Sequence, residues 1–213
     1  MRRGIFLDPE HADAEGLVGI GGDLSPRRLV EAYRRGIFPF YDESSPILWW
    51  SPDPRAIIEF DGLHVSRRLA RTLRSGRFQA TFDRDFAGVI AGCADRPGPG
   101  NWITADMLTA YNTLHRLGHA HSVEVWHEGA LAGGLYGVTV GGLFAGESMF
   151  TRVTDASKVA LVHVVERLKE RGFRLFDVQF LNPHTERMGA VEIPRREYLA
   201  RLRRALTVSP TFA

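Results

Sequence analysis

Two periods of apolar and polar positions run along this chain, one helical and one alternating. Between Ser25 and Gly36 the apolar residues Leu29, Ala32 and Tyr33 recur at helical spacing. Ser25 as cap, Pro26 in the first turn and Gly36 past the end bound that segment as a helix. Ile47-Leu48-Trp49-Trp50 is a short apolar run, broken by Ser51-Pro52-Asp53-Pro54. The prolines stiffen an extended connection, and a domain boundary is expected near residue 60. Ser66 caps a helix to Ser75, closed by Gly76. Residues 77–83 read as a strand, 85–93 as a helix and Asp95–Asn101 as a loop. Thr104 caps a helix through Leu117, with Met107, Ala110, Tyr111 and Leu114 as its apolar stripe.

After Gly118 the period changes. Residues 119–127, 130–140 and 142–150 are apolar, β-branched or aromatic segments joined at Glu128-Gly129 and Gly141-Gly142, which are hairpin signals. A helix over Ala156–Arg171, a strand over Phe173–Val178 and a last helix from Pro194 to Leu206 complete the chain. The pattern predicts an α+β chain with helices packed on a mixed sheet. It divides into a small N-terminal α+β domain over residues 1–60 and a larger one over 61–213.

Composition narrows this little. With 213 residues, 44% hydrophobic and 24% charged, the chain can bury one substantial core or two small ones. It has no apolar run of about eighteen residues, and Asp8 comes too early for a signal peptide. The single cysteine, Cys93, points to a reducing cytosol. A net charge of +2 excludes a basic nucleic-acid coat, yet the arginines cluster. Arg67, Arg71 and Arg74 share one helix face, and Arg195, Arg196, Arg201, Arg203 and Arg204 crowd the C-terminal helix. Arginine suits bidentate phosphate contacts.

Two acidic sites carry the candidate chemistry. In a regular strand Ala145, Glu147 and Met149 share one face, while Phe144, Gly146, Ser148 and Phe150 share the other. Glu147 then has apolar neighbours, where a carboxylate needs a partner. A strand-end residue reaching solvent is the plain alternative. Asp177 and Gln179 close the apolar run Phe173–Phe176, a position from which polar groups line crevices in sheets. A carboxylate bonded to the Gln amide N–H orients its carbonyl oxygen as an acceptor, able to hold an attacking amine. Of Trp49 and Trp50, adjacent on a strand, one is expected to line a cleft or an interdomain contact. The histidines have no metal-ligand spacing, and no nucleophile elbow or Walker loop is present. Gly19-Ile20-Gly21-Gly22 lacks a clear strand before it and reads as a tight turn.

In order along the chain stand Gly21-Gly22-Asp23-Leu24-Ser25-Pro26, Gly36-Ile37-Phe38-Pro39, Trp49-Trp50-Ser51-Pro52-Asp53-Pro54-Arg55, Trp102-Ile103-Thr104, Gly118-His119-Ala120-His121, Gly133-Gly134-Leu135-Tyr136-Gly137, Gly146-Glu147-Ser148-Met149-Phe150, Ala156-Ser157-Lys158, Asp177-Val178-Gln179 and Ile193-Pro194-Arg195-Arg196. Together they resemble the bacterial leucyl/phenylalanyl-tRNA–protein transferase family. The resemblance implies a C-terminal domain similar to acetyltransferases of the GNAT fold, no metal, no CoA, and an aminoacyl-tRNA donor. Carried over by position, Asp177 polarises Gln179, whose carbonyl draws on the acceptor amine, and Glu147 is a pocket acid near the terminal adenosine. Trp50, Trp102, Leu135, Phe144, Met149 and Phe176, with Asn182, form the substrate pocket. Val178 stands where the family suggests Cys.

The activity implied by the resemblance is that of an aminoacyltransferase. It moves Leu or Phe, with Met a third candidate, onto proteins with N-terminal Arg or Lys, marking them for N-degron proteolysis. Arg67, Arg71 and Arg74 are the expected tRNA contacts, with the C-terminal arginines as the competing patch. Glu124 and Asp155 are candidates for the acceptor's cation. The expected enzyme is a cytoplasmic monomer. An acyl-CoA N-acyltransferase and a non-catalytic RNA-binding module are the alternatives. The glycine-free loop Thr151-Arg152-Val153-Thr154-Asp155 argues against CoA.

Overall fold

Hydrogen bonding sorts the strands into two sheets in a computed structural model that describes residues 6–13, 15–95 and 102–213. Of the loop expected over Asp95–Asn101, residues 96–101 lie outside the described residues. The small sheet holds β1 (Leu17–Ile20), β2 (Phe38–Pro39) and β3 (Leu48–Trp50) in the order β1-β3-β2, with α1 (Pro26–Arg34) between its first two strands in sequence. The large sheet holds β4 (Arg55–Ile58), β5 (Gln79–Phe82), β6 (Ala120–His127), β7 (Ala130–Val140), β8 (Leu143–Thr151), β9 (Leu175–Gln179) and β10 (Ala190–Ile193). Its order is β10-β4-β9-β8-β7-β6-β5. Every neighbour pair is antiparallel except β8 with β9. The α+β class expected from the sequence is the class the chain adopts.

The remaining helices are α2 (Arg67–Arg74), α3 (Phe86–Ala94), α4 (Ala105–Arg116), α5 (Ala156–Arg171), α6 (Pro183–Arg187) and α7 (Arg195–Ala205). Capping fixes several starts. Ser66, Asp85 and Thr104 each accept a backbone N–H of the first turn, which satisfies an otherwise orphan donor.

Two local readings change. A strand, β1, does precede the glycines, and Gly21 and Gly22 turn at φ of 78° and 90°. Within β1 only Val18 is buried, so the alternation that marks a strand is nearly absent. β4 is laddered between β9 and β10, so the chain passes from the small sheet to the large one at Ser51–Pro54. β10 and α6 are not anticipated: both are short, and β10 is buried only at its two ends.

Two apolar cores form on opposite faces of the large sheet. One gathers Leu29 and Tyr33 of α1, Val89 of α3, Tyr111 of α4 and Leu199 of α7 against Ile57, Tyr136 and Ala145. The other gathers α5 and Leu69 of α2 against Val123, Leu135, Phe144 and Phe176. At about 25 cal/mol per Å² of apolar surface buried, these cores dominate the stability of the fold.

The parallel pair makes the opening that matters. β8 and β9 are joined only at Leu143↔Leu175, Phe144↔Phe176 and Ala145↔Asp177. Beyond that point both strands bulge. On β8 the register against β7 passes from Gly137↔Gly146 to Tyr136↔Ser148, which makes Glu147 the extra residue. On β9 the register against β4 passes from Ile57↔Asp177 to Ala56↔Gln179, which makes Val178 the extra residue. Bulges bend a strand and re-aim a side chain.

Candidate functional site

A cavity of about 280 Å³ opens in the gap between β8 and β9. Gly146, Glu147, Ser148 and Met149 line it from β8, Val178 and Gln179 from β9, and Leu135 from β7. Phe40, Trp102, Phe176, Phe180, Asn182 and Thr185 complete the wall. At the rim Phe40 leans on Trp102, with ring centroids 5.3 Å apart, and on Phe180 at 6.0 Å. Gly146 is bare for a reason, because a Cβ there would stand 3.0 Å from the Phe176 ring. A second groove of about 720 Å³, lined by Thr151, Arg152, Ser157 and His184, shares Met149 and Asn182 with the first.

Asp177 lies in the wall behind the cavity and is fully buried. Its Oδ1 accepts from Nε of Arg55 at 2.8 Å and its Oδ2 from Nη2 at 2.6 Å. The Tyr198 hydroxyl donates to Oδ2 at 2.8 Å, and the backbone N–H of Gln179 donates to Oδ1 at 2.9 Å. That last bond holds Gln179 at φ 66°, in the left-handed region that a non-glycine residue occupies only when its surroundings demand it.

Glu147, 8% exposed, forms the centre of a second network. The Gln179 side-chain amide donates through Nε2 to its Oε1 at 2.8 Å. The Tyr111 hydroxyl donates to its Oε2 at 3.2 Å, and the Tyr33 hydroxyl lies 2.6 Å from that of Tyr111. Burial pushes the Glu147 carboxyl up to about 8, with the Asp177 charge adding to the rise, against the pull of the Tyr33 and Tyr111 hydroxyls and of Arg55. Burial also raises both tyrosines well above their ordinary value, and the Glu147 charge adds to it.

Of the residues singled out in the sequence, Trp102, Leu135, Glu147, Met149, Phe176, Gln179 and Asn182 meet at the cavity. Trp50, Phe144 and Asp177 stand behind it. Trp50 is half-buried and donates its indole N–H to the Phe40 carbonyl, so it supports a wall without forming one. Trp49 is buried and donates to the Gly21 carbonyl, so neither tryptophan lines the cavity. Phe144 lies edge-on to Phe176 at 5.5 Å and stacks on Phe212. The Asn182 side-chain oxygen caps α6, accepting from His184 and Thr185.

Two expectations are corrected by geometry. The carboxylate that orients the Gln179 amide belongs to Glu147, while Asp177 meets the Gln179 backbone instead. Because of the β8 bulge, Glu147 and Met149 do not share a face. Glu147 reaches the tyrosines of α1 and α4, and Met149 joins Phe144 on the α5 side. Sequence reasoning also misses Arg55, Tyr33 and Tyr111. Both tyrosines fall within apolar stripes, although a buried phenol needs a hydrogen-bond partner, and that need is the available signal.

The other charged candidates separate clearly. Glu124 is fully buried and satisfied by Thr81, Ser122 and the Arg84 N–H. Asp155 is engaged by Lys158 and Arg68. Arg67, Arg71 and Arg74 are exposed and make no ion pair among the described residues. In the C-terminal group Arg201 pairs with Glu59 and Glu197, Arg203 with Glu10, and Arg195 holds the Ser51 carbonyl. The Arg68–Asp155 pair, at 3.5 Å, ties α2 to the start of α5, beside the second groove.

Residues 57–203 match the family described as leucyl/phenylalanyl-tRNA protein transferase, and residues 22–53 match the N-terminal domain of the same family. A leucyl/phenylalanyl-tRNA–protein transferase of an Anaeromyxobacter species is 57% identical over 204 residues, covering 94% of this chain and 87% of the relative. One from Solidesulfovibrio magneticus is 54% identical over 204 residues, covering 94% of this chain and 83% of its own length. Among solved structures, a ribosomal-protein-alanine N-acetyltransferase from Brucella melitensis overlaps 50% of this chain and 81% of its own at 15% identity and a TM-score of 0.39. A likeness at that level carries no functional argument.

Proposed function

The chain belongs to the leucyl/phenylalanyl-tRNA–protein transferase family, and we propose that the cavity between β8 and β9 is where its reaction takes place. The enzyme is an aminoacyltransferase that moves an aminoacyl group from tRNA to a protein. In our reading the donors are Leu and Phe, with Met a third, and the acceptors carry N-terminal Arg or Lys and are thereby marked for N-degron proteolysis. It acts as a monomer in the cytoplasm.

The observation that carries the assignment is an apolar cavity ending in Gln179 and Glu147. An aminoacyl ester is already activated, so transfer needs positioning more than a covalent enzyme intermediate. The amine nitrogen attacks the ester carbonyl, the C–N bond forms and the C–O bond breaks. The amine's proton ends on the ribose hydroxyl of the released tRNA. A carbonyl oxygen that accepts one amine N–H leaves the nitrogen lone pair aimed at the ester, and Gln179 can supply that oxygen. Leu135, Met149 and Phe176 receive the donor's side chain, and Trp102 and Asn182 flank the adenosine. Asp177 fixes the Gln179 backbone from behind.

Arg67, Arg71 and Arg74 take acceptor-stem phosphates. What favours this face over the C-terminal one is that its guanidinium groups are not committed to carboxylates.

The test is transfer of radiolabelled Leu or Phe from charged tRNA to a peptide beginning with Arg, for wild type and Gln179→Ala. Label should move with wild type and at least tenfold more slowly with the variant. Equal rates would remove Gln179 from the site, and no transfer by folded wild type would refute the assignment.

A further inference from the structure

Tyr33 and Tyr111 reach Glu147 from two helices far apart in sequence, and the directions of their protons can be deduced. The single proton of Tyr111 is committed to Glu147 Oε2 at 3.2 Å. The two phenol oxygens lie 2.6 Å apart, and with the Tyr111 proton on Glu147 the Tyr33 hydroxyl is the donor of that contact. Tyr33 also bears on Glu147 itself and is the larger of the two phenol contributions that favour its charged form, and the Gln179 amide donates to the other carboxylate oxygen at 2.8 Å. With its N–H on Glu147, the amide directs its carbonyl oxygen the opposite way. Protonated Glu147 loses this preference, because its own O–H becomes a donor for that same carbonyl. The Gln179 amide can then rotate and present N–H groups to the cavity instead of an oxygen.

We propose that Tyr111 and Tyr33 are positioning residues for aminoacyl transfer: they favour the carboxylate form of Glu147, and that carboxylate holds the Gln179 carbonyl oxygen towards the acceptor amine. The inference rests on the reading of the cavity as the transfer site and deepens it. Glu147 thus acts through Gln179 rather than on the nucleoside, and the phenols act through Glu147.

Burial works against that carboxylate and raises its pKa to about 8, so small changes in its donors matter near neutral pH. The groups that face it are Tyr33 on α1, Tyr111 on α4, Asp177 and Gln179 on β9, and Arg55 on β4. Tyr136 on β7 lies edge-on to Tyr111 at 5.7 Å. Arg55 is taken up by Asp177, so the phenols, with the Gln179 amide N–H, are the donors that favour the charged Glu147. Losing one of them raises the Glu147 pKa further, and the active form then appears at higher pH.

The experiment is the pH dependence of kcat at saturating charged tRNA for wild type, Tyr111→Phe and Tyr33→Phe. It uses two acceptor peptides whose α-amines differ in pKa. An α-amine itself titrates at about 8, so the two limbs must be told apart. The amine limb moves with the peptide, and the Glu147 limb stays with the enzyme. In Tyr111→Phe the enzyme limb should move up by at least half a pH unit. At pH 7 kcat should fall several-fold with the KM for charged tRNA unchanged. Tyr33→Phe should shift the limb the same way by at least as much, and it carries the test if Tyr111→Phe does not fold. An unmoved limb in a folded variant, or a fall in kcat equal at every pH, would overturn the inference while leaving the transfer site standing. No transfer by wild type at any pH would instead refute the site assignment on which it rests.

Discussion

Arg55 and Asp177 form a two-bonded ion pair, Nε to Oδ1 at 2.8 Å and Nη2 to Oδ2 at 2.6 Å, with both side chains 1% exposed. The guanidinium is further held by the Gly36 carbonyl at 3.0 Å and lies between the rings of Phe38 and Tyr198. One pair therefore joins the small sheet, β4, β9 and α7. Such a pair costs much to break and little to replace as a whole, because the penalty lies in the unpartnered charge left behind.

Asp177→Ala is accordingly expected to destabilise the fold by about 3–5 kcal/mol and to lose transfer at the same time. Gln179→Ala should lose transfer with little change in stability. Denaturant titration beside the transfer assay separates the two. An Asp177→Ala protein as stable as wild type would contradict the supporting role assigned to the pair.

The same pair marks the limit of what the sequence revealed. The helices with strong stripes and caps, such as α4 after Thr104, and the hairpin strands β6 to β8 were legible because local periodicity and turn residues specify them. The position of Glu147 was legible as a polar residue in an apolar run. The face of Met149 was not, since the single bulged residue at Glu147 reverses every face beyond it. Arg55 comes after a proline-rich break and meets its partner 122 residues away, so no local pattern announces it. Tyr33 and Tyr111 fit an apolar stripe so well that the pattern hides their hydroxyls. The site was readable as a set of residues, whereas its wiring depends on register and long-range contact.

The arginine face of α2 gives a prediction that turns on electrostatics alone. Arg67, Arg71 and Arg74 are exposed, and Leu69 anchors the helix independently of them. Replacing all three with Ala should leave stability nearly unchanged and weaken tRNA binding. The slope of log affinity against log salt should become shallower by roughly two to three, since each phosphate contact contributes about 0.7–0.9. Arg196→Ala with Arg204→Ala is the matched control from the C-terminal helix and should leave the slope alone. A wild-type slope in the triple variant would move the tRNA to another face.

Glu147 sets stability and activity against each other across neutral pH. Its carboxyl titrates at about 8 in the fold against 4.5 for an unperturbed glutamate. Between those values the folded protein holds a proton that the unfolded chain has released. The stabilisation from this group is therefore complete below about pH 4.5 and is lost as pH rises towards 8, with a slope approaching 1.4 kcal/mol per pH unit for one proton, where ~1.4 is the tenfold free-energy step. At pH 8 the carboxylate that positions Gln179 is half formed, and the loss is complete only well above that pH. Glu147→Gln keeps the shape of the side chain and removes the titration. The difference in unfolding free energy between wild type and Glu147→Gln should thus favour wild type most at low pH and decline by a few kcal/mol, on the order of the linkage integral, by pH 8. Denaturant titrations of both proteins from pH 5 to pH 9 measure that difference directly, with the other ionisable groups cancelling. A difference that stays flat with pH would mean that Glu147 is already ionised at pH 5, and the tyrosine chain would then have no titration left to control.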